Sequence, residues 1–237
     1  MLLLSFETSA KAAGAALHDG EKLLGETYQN TGLTHSQTLL VMAEDLLRQC
    51  GRTPGEVTAA AVAAGPGSFT GVRIGTAAAK GFAWGKNIPC YGVSTLEAMA
   101  LGLGVFQGCI CPVMDARRQQ VYTALFHADC GKYTRLRQDE AISLQELEGI
   151  LQNLREPIFL VGDGADLCYN TLSERVPGLV LPPEHRRHQR ASGVALAALA
   201  RIAAGDPGDG LTLKPNYLRL SQAERERLAK ETSQGEK

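Results

Sequence analysis

The sequence lacks the features of membrane and secreted proteins. It contains no apolar run long enough to cross a membrane. The opening stretch Met1–Leu4 is too short for a secretory leader and is not basic. The six cysteines lie mostly in apolar segments, which is typical of reduced core residues rather than of a disulfide framework. We therefore expect a cytoplasmic protein.

An excess of positive charge is also missing. Lys and Arg number 24 against 25 Asp and Glu, so the formal net charge is −1. This balance excludes a global basic field that attracts nucleic acid, and any RNA contact must be local or made by a partner. The five histidines suggest no metal or catalytic triad, and His185 and His188 are typical of a solvated charged loop. We expect no metal site.

One stretch, from Gly65 to Gly75, organises the chain. The apolar run Val57–Ala64 before it predicts a buried strand, and Ser68 or Thr70 can cap the helix that follows. Small residues recur along one face of this helix, which allows another helix to approach closely. Phosphate binding at the helix N-terminus is the alternative, although the residues match neither of the familiar glycine-rich phosphate loops.

Two segments of the sequence resemble a known family. They are residues 65–75, Gly-Pro-Gly-Ser-Phe-Thr-Gly-Val-Arg-Ile-Gly, and residues 92–96, Gly-Val-Ser-Thr-Leu. Both are similar to the TsaB (YeaZ-like) family, the dimerisation subunit of the bacterial machinery that makes threonylcarbamoyladenosine in tRNA. The resemblance is strongest over residues 1–125 and continues collinearly to Arg219.

The N-terminal strands indicate the fold. Three strands, separated by an acidic-hydroxyl turn and by the hairpin turn His18–Glu21, resemble the start of the actin/hexokinase/Hsp70 (ASKHA) superfamily. We predict an α/β protein with a two-lobed actin-like (ribonuclease-H-like) fold and the order βββαβα in the first lobe. The predicted divisions are an N-terminal lobe with the dimerisation helices (1–104), a C-terminal lobe (105–220) and a charged tail (221–237).

The turn after the first strand holds the candidate nucleotide contacts, Glu7, Thr8 and Ser9. In the superfamily this hairpin carries an Asp and hydroxyls near the nucleotide phosphates, and the related TsaB pattern is usually Asp-Thr. Glu7 is one methylene longer than Asp. The alternative is that the hydroxyls only satisfy the turn. We expect no cofactor of the protein's own, with ATP kept as the alternative ligand.

Two helices carry the predicted partner interface. The segment His35–Cys50 has an apolar stripe at helical spacing, and Leu40 and Val41 lie partly off it, which predicts a second apolar face. That face is either covered within the chain or used by a partner, and the resemblance favours the partner. The interface is assigned to apolar and small residues of this helix and of the helix over 71–85: Leu39, Leu40, Met42, Ala43, Leu46, Leu47, Gly71, Ile74, Gly75, Ala78 and Phe82.

The helix that Ser94 caps bears on catalysis. The TsaD-like catalytic paralogue carries two metal-binding His on this helix, whereas the collinear positions here are Thr95 and Met99, which are poor metal ligands. The resemblance thus implies a non-catalytic scaffold for that paralogue, which transfers threonylcarbamoyl to the adenosine next to the anticodon. It also implies a TsaE-like ATPase as partner, a homodimer when the protein is alone, and tRNA contact only through the complex.

An enzyme is the competing hypothesis. An ATP-binding phosphotransferase of the actin-like superfamily would bind ATP between the lobes and need a magnesium ligand, for which Glu7 is the candidate. In the second lobe, Asp115 and Arg117 either form an ion pair that fixes a hairpin turn or belong to the cleft, and we favour the structural role because exposed ion pairs contribute little. The segment Pro215–Arg219 matches a family-like end motif whose role the residues do not indicate.

Overall fold

The computed structural model describes residues 1–104 and 107–219, which form two five-stranded sheets. The first sheet has the order β3-β2-β1-β4-β5, with β1 Leu3–Glu7, β2 Ala13–His18, β3 Leu23–Gln29, β4 Ala59–Gly65 and β5 Cys90–Ser94. The second has the order β10-β9-β6-β7-β8, with β6 Gln107–Asp115, β7 Gln120–Asp129, β8 Lys132–Ser143, β9 Ile158–Val161 and β10 Leu179–Val180. The predicted charged tail lies outside the described residues.

Helices cover both sheets. They are α1 His35–Gln49, α2 Phe69–Lys86, α3 Thr95–Leu103, α4 Leu144–Leu151, α5 Ala165–Leu172, α6 Glu184–Arg187 and α7 Ala191–Ala203, with 3-10 turns at Pro54–Glu56 and Gly210–Thr212. No helix in the described ranges has the length and apolar character needed to span a membrane. The order β1β2β3α1β4α2 confirms the predicted start of the fold.

The first sheet is apolar on both faces because helices cover each of them. Phe6 and Val62 face α1 and α2 in one core, while Leu3 and Ala61 face α3 and α7 in another. This alternation follows from the two-residue period of strands. Continuous apolar runs such as β4 are the expected sequence of strands buried on both faces.

Helix α7 joins the first sheet rather than the second. It comes late in the chain, yet it packs on α3, β1 and β2. The Ser5 hydroxyl donates to the Ala191 carbonyl at 2.7 Å, and Glu26 accepts from the Ser192 amide at 2.9 Å. The division that assigned 105–220 to one lobe therefore needs a correction, because the chain returns to the first sheet after β10.

Helix α3 holds the two sheets together. Leu96 and Met99 pack against Ile110 and Phe126 of the second sheet, while Ala98 on the same helix packs on α7. Met99 is thus a core residue between the sheets. This burial accounts for the apolar side chain of Met99. The resemblance aligns the same position with a metal-binding His of the paralogue.

Candidate partner-binding face and cleft between the sheets

The apolar stripe of α1 faces the core of its own chain. Leu39, Ala43, Leu46 and Leu47 are all buried there, against the first sheet. The prediction that these four residues lie in a partner interface is therefore wrong. They have the spacing of an inner face, and a sheet of the same chain covers it.

Two glycines of α2 also face inward. A Cβ on Gly71 would overlap the Thr8 carbonyl oxygen, and a Cβ on Gly75 would overlap the Thr8 hydroxyl. The Thr8 hydroxyl in turn donates to the Gly71 carbonyl at 2.8 Å. These glycines thus let α2 approach the β1–β2 turn. Because both contact Thr8 of the same chain, their assignment to a partner interface was wrong. Ser68, not Thr70, caps α2 by accepting from the Gly71 amide at 3.3 Å.

The opposite sides of these helices are exposed and carry apolar and small residues among polar ones. Leu40 is 55% exposed, Val41 56% and Trp84 74%. On α2, Gly81 and Gly85 have open space where a Cβ would lie, and Ala77 is exposed one turn before Gly81. We call Leu40, Val41, Ala77, Gly81, Trp84 and Gly85 the outer helix face.

Among the other predicted interface residues, Leu40 belongs to the outer helix face. Met42 and Ile74 are half-buried and lie between the inner and outer sides. Ala78 and Phe82 pack partly on the first core, where the Phe82 ring meets the Phe6 ring edge-on at 6.4 Å. The sequence reasoning missed Trp84, Gly81 and Gly85. The signal was a Trp on a helix of small residues, with Ala77, Gly81 and Gly85 spaced four apart.

A cleft of about 600 Å³ lies between the sheets. It is bounded by the β1–β2 turn, the loop before α2, the β6–β7 turn and a C-terminal segment. Its lining includes three basic and three aromatic side chains, which are Lys11, Arg117, Arg219, Phe69, Tyr122 and Tyr217. Of the three candidate nucleotide contacts only Ser9 lines this cleft, since Thr8 is engaged with α2 and Glu7 lies beneath the turn.

The Glu7 carboxyl is almost completely buried, at 1% exposure. One of its oxygens accepts from the Ser9 amide at 2.6 Å, and the other has no partner among the described residues. Burial raises the pKa of Glu7 to about 7, hydrogen bonding from Ser9 opposes the increase, and the nearby charge of Asp163 adds to it. Glu7 does not line the cleft, so it is not placed to hold a magnesium ion there. The described residues contain no cluster of three His, Cys, Asp or Glu suited to a metal.

The segment Leu213–Arg219, which we call the strap, crosses the cleft from one sheet to the other. Leu213 is buried in the first core, and the Asn216 amide donates to the Ala64 carbonyl at 2.6 Å. The Tyr217 ring stacks on Phe69 at 4.3 Å. Arg219 donates to the Ala116 carbonyl on the β6–β7 turn at 2.6 Å. The end motif thus links α2 to the second sheet.

The β6–β7 turn is fixed differently from the prediction. The Asp115 carboxylate accepts from the Arg117 backbone amide at 2.7 Å instead of pairing with its guanidinium. The Arg117 side chain lines the cleft, which confirms the alternative that this turn belongs to it.

Comparisons with known proteins identify the family. The sequence matches the family model described as "TsaD: tRNA N6-adenosine threonylcarbamoyltransferase" over residues 29–225. It is 33% identical to the tRNA threonylcarbamoyladenosine biosynthesis protein TsaB of Bacillus subtilis (strain 168), over 94% of this chain and 96% of that protein. The chain belongs to the TsaB family. The TsaB protein of Escherichia coli (strain K12) is 37% identical over 54% of this chain and 56% of its own length.

Solved structures agree with the TsaB assignment and give the fold. YeaZ from Pseudomonas aeruginosa superposes with a TM-score of 0.76 at 25% identity, covering 92% of this chain and 99% of that one. The activator of the 2-hydroxyisocaproyl-CoA dehydratase from Clostridium difficile shares the fold, with a TM-score of 0.50 at 10% identity over 86% and 97% of the two chains. The predicted two-lobed actin-like fold is confirmed.

Proposed function

We propose that the chain is a non-catalytic subunit of a complex that forms tRNA threonylcarbamoyladenosine. In this role it binds and supports a TsaD-like paralogue, which carries out the transfer to the adenosine next to the anticodon. The names of its TsaB relatives support a place in this biosynthesis. Thr95 and Met99 support the non-catalytic part, because both are buried and Met99 packs between the sheets.

The outer helix face carries the proposal. Trp84, Leu40 and Val41 present apolar surface to solvent, which is unfavourable in water unless a partner covers it. The four-residue spacing of Ala77, Gly81 and Gly85 leaves a flat surface on which a partner helix can pack at short distance. The same face self-associates into a homodimer when the paralogue is absent. A TsaE-like ATPase joins the assembled pair.

Gly81→Leu tests this surface without disturbing the fold. The new side chain extends into open space, and leucine favours the helix over glycine by about 1 kcal/mol. The matched control is Gly149→Leu, which makes the same change at an exposed position of α4 on the second sheet. We would measure mass by size-exclusion chromatography with light scattering, for each protein alone and mixed with the paralogue from the same genome.

The expected result is that the unmodified chain and Gly149→Leu dimerise and exchange into a heterodimer. Gly81→Leu stays monomeric, although it is at least as stable. A Gly81→Leu protein that pairs normally would remove the outer helix face from the proposal. A chain that stays monomeric and ignores the paralogue would refute the scaffold role.

The alternative is an ATP-dependent phosphotransferase, and the cleft between the sheets is the observation in its favour. It requires Glu7 to be a magnesium ligand in the cleft, whereas Glu7 is buried beneath the β1–β2 turn and does not line the cleft. Glu7→Gln should abolish ATP hydrolysis if the alternative holds. In the scaffold proposal Glu7→Gln pairs with the paralogue as the unmodified chain does.

A further inference from the structure

Three cations that have no ion-pair partner among residues 1–104 and 107–219 lie on two turns at the mouth of the cleft. Lys11 is on the β1–β2 turn, and Arg117 and Arg118 are on the β6–β7 turn. All three are exposed, and no side-chain hydrogen bond or ion pair holds them within the described residues. Many arginines elsewhere are paired, for example Arg135 with Asp139 and Arg190 with Glu26. We call Lys11, Arg117 and Arg118 the cationic rim.

The turn that carries two of these cations has an unusual backbone. Arg117, Arg118 and Gln119 are all in the left-handed region, with φ of 62°, 55° and 57°. This conformation is costly for residues other than glycine, and it persists where the surroundings fix it. Here the Asp115 carboxylate accepts from the Arg117 amide, and Arg219 of the strap holds the Ala116 carbonyl. The turn therefore presents two arginine side chains from a fixed backbone.

The carboxylates near the rim are already engaged. Asp115 accepts from the Arg117 amide, and Asp163 accepts from the Gln189 side chain at 3.2 Å. The N-terminus of α2 also lines the cleft, and its dipole adds positive potential. Lys11, Arg117 and Arg219 line the cleft against Asp115 and Asp163, and Arg118 adds a fourth positive charge on the same turn as Arg117. The residues at the cleft mouth therefore carry a local excess of positive charge in a chain whose net charge is −1.

An aromatic surface lies beside the rim. Tyr217 lines the same cleft and is 39% exposed, although its ring stacks on Phe69. Arg118 is not among the residues that line the cleft, so the three cations extend beyond it. This arrangement suits an extended polyanion with stackable bases better than a small anion enclosed in the cleft.

We propose that the cationic rim binds the phosphodiester backbone of RNA, with Tyr217 as a stacking surface for an unpaired base. The choice of RNA rests on the proposed function, because the family is named for the modification of a tRNA. This proposal replaces the expectation that tRNA is contacted only through the complex with a direct contact by this chain. Phosphate contacts of this kind supply affinity and orientation rather than sequence recognition.

The test is binding of the full-length chain to a fluorescein-labelled anticodon stem-loop RNA, followed by fluorescence anisotropy. The rim variant replaces Lys11, Arg117 and Arg118 by Gln. The control variant replaces three exposed cations at the opposite ends of the sheets, Lys22, Lys132 and Arg155, by Gln, so both variants lose the same charge. Each protein is titrated at about 50 and about 200 mM salt.

We expect the rim variant to lose about tenfold or more in affinity and its salt slope to fall by about two, while the control variant changes little. If Tyr217 acts by stacking, Tyr217→Ala should weaken binding with the salt slope unchanged, because stacking does not depend on counterions. A fall in the salt slope would instead show that the loosened strap had displaced the arginines of the β6–β7 turn. Equal losses in both triple variants, or no binding by the unmodified chain, would overturn the proposal. In a competition experiment, ATP is compared with unlabelled RNA as a competitor of the labelled RNA. Full displacement by ATP at the concentration at which unlabelled RNA achieves it would identify a nucleotide as the ligand of the rim and would also overturn the proposal.

The scaffold role and the RNA-binding role can be refuted independently. The rim variant should still pair with the paralogue in light scattering, and Gly81→Leu should still bind the RNA, because the rim and Gly81 lie on different surfaces of the molecule. RNA binding without pairing would refute the scaffold role alone.

Discussion

At the residue scale, the glycines of α2 show that one residue type has two different roles in one helix. Gly71 and Gly75 allow α2 to contact Thr8, whereas Gly81 and Gly85 face open space. The sequence predicts a face of small residues, but it does not indicate whether that face meets the same chain or another one. Only the position of the β1–β2 turn, more than 60 residues earlier than Gly71, decides it.

Gly71→Ala should destabilise the folded chain. The new Cβ meets a backbone atom, the Thr8 carbonyl oxygen, so the turn or the helix must shift. Overpacking of this kind costs about 1–3 kcal/mol, which exceeds the gain of about 1 kcal/mol from higher helix propensity. Gly85→Ala, which has open space at its Cβ, should raise stability instead. Urea unfolding of both variants measures the difference, and equal stabilities would contradict the assigned contact.

Glu7 should make stability depend on pH in the direction opposite to that of a salt-bridged carboxylate. Its pKa is about 7 in the folded chain against 4.5 for the free side chain, so the folded state holds the proton more tightly. Its stabilising effect is complete below pH 4.5 and is lost as pH rises to about 7. The shift corresponds to about 3 kcal/mol. Relative to Glu7→Gln, the unmodified chain should lose this stability in urea unfolding as pH rises from 4.5 to about 7. Parallel pH profiles of the two proteins would contradict the prediction.

At the element scale, the sequence predicts local structure well where periodicity and capping agree. It predicts α1 from its stripe, and the structure places this helix at His35–Gln49, ending within a residue of the prediction. It misses β8, because this edge strand, which pairs only with β7, is largely polar, has no buried residue and lacks a buried alternation. The location of α7 was also missed, since a helix of small apolar residues fits either sheet until the tertiary contacts are known.

The sequence does not reveal the role of the strap. Its contacts with Phe69 and Arg73 predict that it stabilises the first turns of α2. Tyr217→Ala removes the stacking on Phe69 and the hydrogen bond from Arg73 to the hydroxyl, at 2.8 Å. We expect a loss of about 1–2 kcal/mol and faster amide hydrogen exchange in the strap and the first turn of α2. Tyr217→Phe keeps the stacking and should show a smaller increase in exchange. Unchanged exchange in Tyr217→Ala would show that the strap does not stabilise this region.

At the scale of the whole molecule, the arrangement of helices separates stability from association. Helices α3 and α7 hold the molecule together, because α3 packs against both sheets and α7 against α3. Helices α1 and α2 lie on the other face of the first sheet, and Leu40, Val41 and Trp84 are exposed on their outer sides. A partner can therefore bind to α1 and α2 without rearranging the contact between the sheets.

Trp84 provides a direct measurement of that association, because it is the only tryptophan in the sequence and 74% of it is exposed. Its emission in the monomer should be that of a solvated indole. If the outer helix face mediates self-association, raising the protein concentration should shift the emission to shorter wavelength, since a partner then buries the ring. Gly81→Leu should keep the solvated emission at every concentration, whereas Gly149→Leu should follow the unmodified chain. A dimer detected by light scattering without any shift in emission would place the interface on another surface.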